Sequence, residues 1–335
     1  MDAAVRNKLP HETRLPTKSL AERIRLFAIS LDGWREYPEI CYEFDQSLRK
    51  RTRMWEPLIQ VILEEAEIEV TDSLLRLIAA WFTMIHLSAP VDQVVDSDPM
   101  SSGWKKLGPV KIFDLILALK DEVLEKPLAS LSTDYSKQTL ALAQATVTLS
   151  SATLTAAIGS YLDVTGALAI KDEEPLERLV YLYDRLVGWK SASIYRCLMS
   201  CLAVAGKVPQ ITRQVLEDFG SNVGYSIQVL DDAGGIWGGG DDLAKDPVKV
   251  TFPIAYGITS RHPRRDELVR LLVTPRPVRD LDCARSILHE MGALPFLEFL
   301  IEDRQGRCER VLAPLCARTR NALLTWYESY FRRRL

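Results

Sequence analysis

Apolar residues recur at three- and four-residue spacing through most of this chain, and that period leaves little room for anything but helices. The segments Asp114 to Leu131, Gln138 to Leu162, Leu176 to Val204 and Val215 to Leu230 all carry it. A face that repeats every 3.6 residues belongs to an amphipathic helix, whereas a half-buried strand alternates. Val- and Ile-rich alternating runs are nearly absent, so no sheet is expected. Ala and Thr crowd Ala141 to Ala157, where small side chains permit close helix packing. Gly206 and Pro209 punctuate one turn between helices, and Lys171 to Pro175 another. The expected fold class is all-α.

Composition narrows the function classes. The 335 residues are 47% apolar and 26% charged, with a net charge of −3. That is ordinary globular balance, neither disordered nor suited to nucleic acid. The N-terminus has no apolar run of the signal-peptide kind, and the longest apolar stretch, Ile78 to Pro90, is too short to span a bilayer and contains His86. Six scattered cysteines imply no disulfide framework, so a reducing, cytoplasmic setting is expected. Cys197 and Cys201 lie four apart, which fits two small buried thiols better than a metal pair. One domain over 1–335 is expected, with 1–20 as a loosely ordered extension.

Two acidic clusters carry the chemistry. The first is Asp92-Gln93-Val94-Val95-Asp96, at the end of the apolar run Leu74 to His86. Asp92 and Asp96 share a helix face, near a C-terminus where unneutralised negative charge is disfavoured. The second is Gln228-Val229-Leu230-Asp231-Asp232, after the apolar run Val223 to Leu230. A glycine-rich segment, Gly234 to Pro247, and Lys249-Val250-Thr251-Phe252-Pro253 follow it. This segment reads as a long loop, either a lid or a plain mobile connection. Hard cations such as Mg²⁺ take oxygen ligands, commonly one or two carboxylates plus substrate phosphates. Each cluster alone reads better as solvated acid at a helix end; the pair is what suggests a site.

Together the clusters resemble the trans-isoprenyl diphosphate synthases (polyprenyl synthetases), from about Lys50 to Pro253. The second cluster is similar to a Q-x-x-DD-x-x-G-I-W-G motif and the first to DDxxD, with Gln93 in the second place. The resemblance implies a helical bundle of the isoprenoid-synthase type around one apolar cavity. It also implies Mg²⁺ on Asp92, Asp96 and Asp231, with Asp232 beside them, and an allylic prenyl diphosphate as substrate. Lys50-Arg51-Thr52-Arg53 resembles the G-G-K-R-x-R element that grips isopentenyl diphosphate, with Leu48-Arg49 in place of the glycines. His86 resembles a histidine serving the same diphosphate. Lys190-Ser191 resembles the K-T pair on the allylic diphosphate, and Gly159-Ser160-Tyr161-Leu162-Asp163 the G-Q-x-x-D element. The family's Arg-Arg-Gly is represented only by Lys105-Lys106-Leu107-Gly108, and lysine cannot reproduce arginine's bidentate fork. Gln228 and Lys249 complete the expected diphosphate contacts. Many proteins of this fold are homodimers, and the resemblance extends to that.

The implied reaction is ionisation of an allylic diphosphate in a dry cavity. Counting back from Asp92 by four and eight gives Ser88 and Met84 as cavity residues, with Trp81 as a floor roughly 16 Å down. Phe82 reads more simply as core packing. That depth suits about fifteen to twenty carbons, at 1.5 Å per residue of helix. Three activities fit. A terpene cyclase, releasing diphosphate, comes first, because the glycine pair, the Arg-Arg pair and the second Asp are altered. A chain-elongating prenyltransferase using isopentenyl diphosphate comes second, supported by Lys50, Arg53 and His86. A non-catalytic synthase subunit comes last.

Overall fold

The computed structural model describes residues 18–96, 102–122, 137–164, 168–170, 176–240 and 242–332. The expected N-terminal extension and the turn at Lys171 to Pro175 fall almost wholly outside them. Helices account for nearly all regular structure among the described residues. The β-type pairing given for them is a single isolated bridge, Ala169 with Lys249.

The helices follow the periodic segments, with shifted ends. They are α1 (Leu20–Ile29), α2 (Pro38–Glu65), α3 (Asp72–Asp96), α4 (Ser102–Lys120) and α5 (Lys137–Val164). Next come α6 (Leu176–Val187), a π-helical segment (Gly188–Ala192), α7 (Ser193–Ala205) and α8 (Gln210–Trp237). The chain ends in α9 (Phe252–Thr259), α10 (Arg265–Val273), α11 (Leu281–Glu290), α12 (Ala293–Leu312) and α13 (Ala317–Phe331).

The glycine-rich segment divides differently from the expectation. Gly234 to Trp237 remain in α8, whose last turn is closed by Gly238 N–H on the Gly234 carbonyl at 2.9 Å. Asp231 and Asp232 therefore sit inside a helix rather than at its end. Two glycines weaken a helix by about 1 kcal/mol each relative to alanine, and packing overrides that here. Ile236, directly after them, is 1% exposed.

A buried aromatic and aliphatic core ties the ends of the chain together. Trp326 of α13 donates its indole N–H to the Met54 carbonyl of α2 at 3.0 Å. Trp81 of α3 donates to the Ile194 carbonyl of α7 at 2.9 Å. Buried indole N–H groups need such acceptors. Between α7 and α8, buried Glu217 accepts from Arg213 at 2.7 Å, Ser200 at 2.7 Å and Arg196 at 2.8 Å. Among the described residues, no helix is long and apolar enough to cross a membrane.

Candidate active site

The cavity of interest measures about 960 Å³ and is walled by α2, α3, α5, α6, the π-helical segment, α7, α8, the loop after α8, and α13. On α3 the lining residues are Trp81, Phe82, Ile85 and Ser88. Continuing that spacing one turn reaches position 92. Asp92 and Asp96 occupy the last two turns of α3, and their side chains lie outside the described residues. Ile85, not Met84, lies on the cavity face. A helical face two turns back from a residue is seven positions away rather than eight, which explains the difference.

Across the cavity, α8 presents Ile227, Gln228, Asp231, Asp232 and Gly235. The two aspartates have different surroundings. Asp231 is exposed and lines the cavity. Asp232 is 3% exposed, and its carboxylate accepts from the Tyr183 hydroxyl, from Gln228 Nε2 at 2.8 Å and from Phe252 N–H at 2.7 Å. Burial pushes its pKa up to about 7, against the pull of those three donors. With both oxygens already accepting, Asp232 holds α8, α6 and the start of α9 together.

The cations converge from separate elements. Lys50 and Arg51 come from α2, Lys190 from the π-helical segment, and Lys245 and Lys249 from the loop. Lys190 is placed by close helix approach. A Cβ on Gly159 of α5 would lie 2.9 Å from the Lys190 backbone nitrogen. One on Gly224 of α8 would lie 2.7 Å from the Ala192 Cα. Only glycine at both positions lets two helices clamp the widened turn, and π-type turns are frequent at functional sites. Ser191 is tied to α8 through its hydroxyl, which donates to Gln228 Oε1. Ser160 lines the cavity beside them.

Aromatic rings form the apolar part of the wall. Trp55 stacks on Tyr195 with centroids 5.1 Å apart and meets Trp81 edge-on at 5.5 Å and Tyr330 at 5.9 Å. Burial pushes the Tyr195 hydroxyl well above its ordinary pKa, so it stays a neutral phenol. Of these rings, only Trp81 was expected at the cavity. Tyr183, Tyr195 and Tyr330 come from remote helices whose sequences look like ordinary core.

Several expected residues stand elsewhere. Arg53 is exposed and is not on the cavity wall. Lys105 and Lys106 are not on it either. Lys106 Nζ lies 3.3 Å from Glu39, and Gly103 N–H donates to Glu43 at 3.2 Å, so the start of α4 is pinned to the first turns of α2. His86 packs against Phe44 with ring centroids 4.8 Å apart, and neither ring nitrogen meets a partner among the described residues. Burial and the nearby Arg51 charge lower its pKa to about 4, so it is neutral at pH 7.

The donor chemistry suits a hard divalent cation. The polar lining is rich in carboxylate, hydroxyl and amide oxygen and contains neither cysteine nor histidine. Among the described residues, no three His, Cys, Asp or Glu side chains gather closely enough to hold a metal alone. A cation there needs oxygens from α3 or from a bound phosphate as well. Thr251 lines the cavity, and its Oγ1 is buried and makes no hydrogen bond among the described residues.

The fold is the one seen in solved isoprenyl diphosphate synthases. A polyprenyl synthase from Caulobacter crescentus, solved with calcium and isoprenyl diphosphate, superposes with a TM-score of 0.72 at 20% identity, over 94% of each chain. A geranylgeranyl pyrophosphate synthetase from Pyrococcus horikoshii gives 0.71 at 14% identity, over 92% of this chain and 94% of that one. A heptaprenyl diphosphate synthase from Staphylococcus aureus gives 0.70 at 14%, over 94% and 96%. In sequence, geranylgeranyl diphosphate synthase of Mycobacterium tuberculosis is 27% identical over 213 residues, which is 61% of this chain. The match spans 57% of that relative's length, little more than half. No family model matches the chain. The chain shares its fold with solved trans-isoprenyl diphosphate synthases and is similar in sequence, over part of its length, to one such enzyme.

Proposed function

We propose that this protein is a divalent-cation-dependent trans-prenyltransferase that extends an allylic prenyl diphosphate with isopentenyl diphosphate. The observation that carries the reading is the presence of two separate cationic groups on one cavity. Lys190, Lys245 and Lys249 reach the cavity from the π-helical segment and the loop after α8, while Lys50 and Arg51 reach it from α2. One diphosphate needs only the first group; two diphosphates need both. This reverses the order expected from sequence, where cyclisation came first. The named relatives are diphosphate synthases, which favours elongation.

Each group has a task in that reaction. Lys190, Lys245, Lys249 and the Thr251 hydroxyl bind the allylic diphosphate, with Gln228 orienting Ser191 beside it. Asp231, with Asp92 and Asp96 from α3, would hold Mg²⁺. Bound there, the cation supplies Lewis-acid neutralisation of the leaving diphosphate. Lys50 and Arg51 hold the diphosphate of the attacking co-substrate. Trp55, Trp81, Phe82 and Tyr195 exclude water from the allylic cation and offer aromatic faces to it.

A homodimer is part of the proposal. Leu140, Val147, Leu154, Ile158 and Tyr161 are 49–67% exposed along one face of α5. Spacings of seven, seven, four and three put them on one stripe, and contiguous exposed apolar surface of this kind marks an interaction face.

The test is incubation with Mg²⁺, labelled isopentenyl diphosphate and a C10, C15 or C20 allylic diphosphate. Label in a longer prenyl diphosphate supports elongation. Hydrocarbon formed without consumption of isopentenyl diphosphate returns the protein to the cyclases.

A further inference from the structure

Position 235 is one turn beyond Asp231 on the cavity face of α8, and it is a glycine with a carboxylate in its place. A Cβ built on Gly235 would lie 1.9 Å from Asp242 Oδ2 and 2.6 Å from its Cγ. The Asp242 carboxylate therefore fills the space that a side chain at 235 would enter. Residues four apart on a helix project in the same direction, with Cβ atoms about 5–6 Å apart. Asp242 thus delivers its charge where an i+4 carboxylate partner of Asp231 would begin.

The segment that carries Asp242 is built to stay there. After α8 the chain folds back, with Gly240 N–H on the Gly234 carbonyl at 3.1 Å. Asp242–Ala244 then form one 3₁₀ turn. Arg279, 6% exposed, donates through Nη1 to the Leu243 and Lys245 carbonyls at 2.7 Å each. Buried charge-assisted bonds to backbone fix a loop more firmly than surface contacts do. Lys245 Nζ stands 3.5 Å from Asp242 Oδ1, and Oδ2 is the oxygen over Gly235. Thr251 of the cavity wall adds an independent sign of a ligand, a buried hydroxyl with no hydrogen-bond partner among the described residues.

We propose that Asp242 supplies from the loop the carboxylate that α8 lacks at position 235, and that with Asp231 it forms the α8 side of the divalent-cation site. The inference rests on the metal-dependent reading above. It makes Asp242 a binding residue for the cation and ties cation binding to the loop that bears Lys245 and Lys249.

The experiment titrates Mn²⁺ into the purified full-length protein in the presence of inorganic diphosphate and follows free Mn²⁺ by electron paramagnetic resonance. Asp242→Asn, which keeps the shape and removes the charge, is expected to weaken Mn²⁺ binding roughly 10- to 100-fold, the usual scale for losing a supporting group at a metal site. The double variant Gly235→Asp with Asp242→Gly moves the carboxylate back onto α8 and is expected to recover most of that loss. Wild-type affinity in Asp242→Asn overturns the proposal. So does failure of the double variant to recover affinity while its melting temperature matches that of Asp242→Asn, since Asp242 would then act only as a counter-ion for Lys245. Asp231→Asn is the control. If it too binds Mn²⁺ normally, the metal-dependent reading itself falls.

Discussion

Gln228 reaches one turn along α8 to Asp232, with Nε2 2.8 Å from Oδ1, and its other amide atom accepts from Ser191. One side chain thus links the helix bearing Asp231 to the widened turn bearing Lys190. Gln228→Leu keeps the approximate volume and removes both bonds, leaving a buried carboxyl with one donor fewer. A loss of about 1–3 kcal/mol in unfolding free energy is expected. Urea unfolding monitored by circular dichroism measures it, and an unchanged midpoint would mean that the link is ornamental.

Lys50 and Arg51 should act on the co-substrate. Replacing either with alanine removes charge-assisted bonds of about 1.5–3 kcal/mol each and should raise the KM for isopentenyl diphosphate by tenfold or more. The KM for the allylic substrate should move little. Arg53→Ala, off the cavity wall, should have the smaller effect. Steady-state kinetics with each substrate varied in turn decides the ranking.

The α3 register predicts which substitution lengthens the product. Ile85→Ala removes bulk from the cavity face and should shift the product towards longer prenyl chains. Met84→Ala, one position away and off that face, should not. Chromatography of the dephosphorylated products compares them. Equal lengthening in both variants would contradict the assigned face.

His86 should make the protein acid-sensitive. Its pKa is about 4 in the fold against 6.5 when free, so folding favours the neutral ring. A depressed pKa contributes stability that is present above pH 6.5 and is lost as pH falls towards 4. The full difference is on the order of 3 kcal/mol. His86→Leu should therefore lose less stability than wild type between pH 7 and pH 4, measured as the difference of their melting curves. Parallel curves would show that His86 titrates normally.

The exposed stripe on α5 predicts oligomeric state. Leu154→Glu places charge at a residue that is 64% exposed in the single chain. It should convert a dimer to monomer in sedimentation velocity with the helical content unchanged. A wild-type protein that is already monomeric would remove the interface.

Much of the site was legible because it lies on long periodic helices. Asp231, Gln228, Lys190, Lys50 and Arg51 follow from the resemblance of their motifs to those of the trans-isoprenyl diphosphate synthases. Met84 was misplaced because an eight-residue step overshoots two helical turns. Lys105 and Lys106 were misplaced because nothing in their sequence discloses that Glu39 and Glu43 capture the start of α4. The reach of α8 to Trp237 was missed because glycine propensity argues against helix while burial of Ile236 argues for it. Asp242 and Tyr330 leave no periodic trace. Their positions depend on how a loop folds back and how the last described helix docks.

That docking gives the chamber a place in the order of folding. Trp55 and Tyr330 belong to the second and the last of the described helices, yet their rings meet in the same wall. During synthesis the earlier helices emerge with this greasy lining uncovered. The arrival of α13 adds Tyr330 to that wall. Until then the exposed rings are a hazard for misassociation, and afterwards they are the walls that keep water from the reaction.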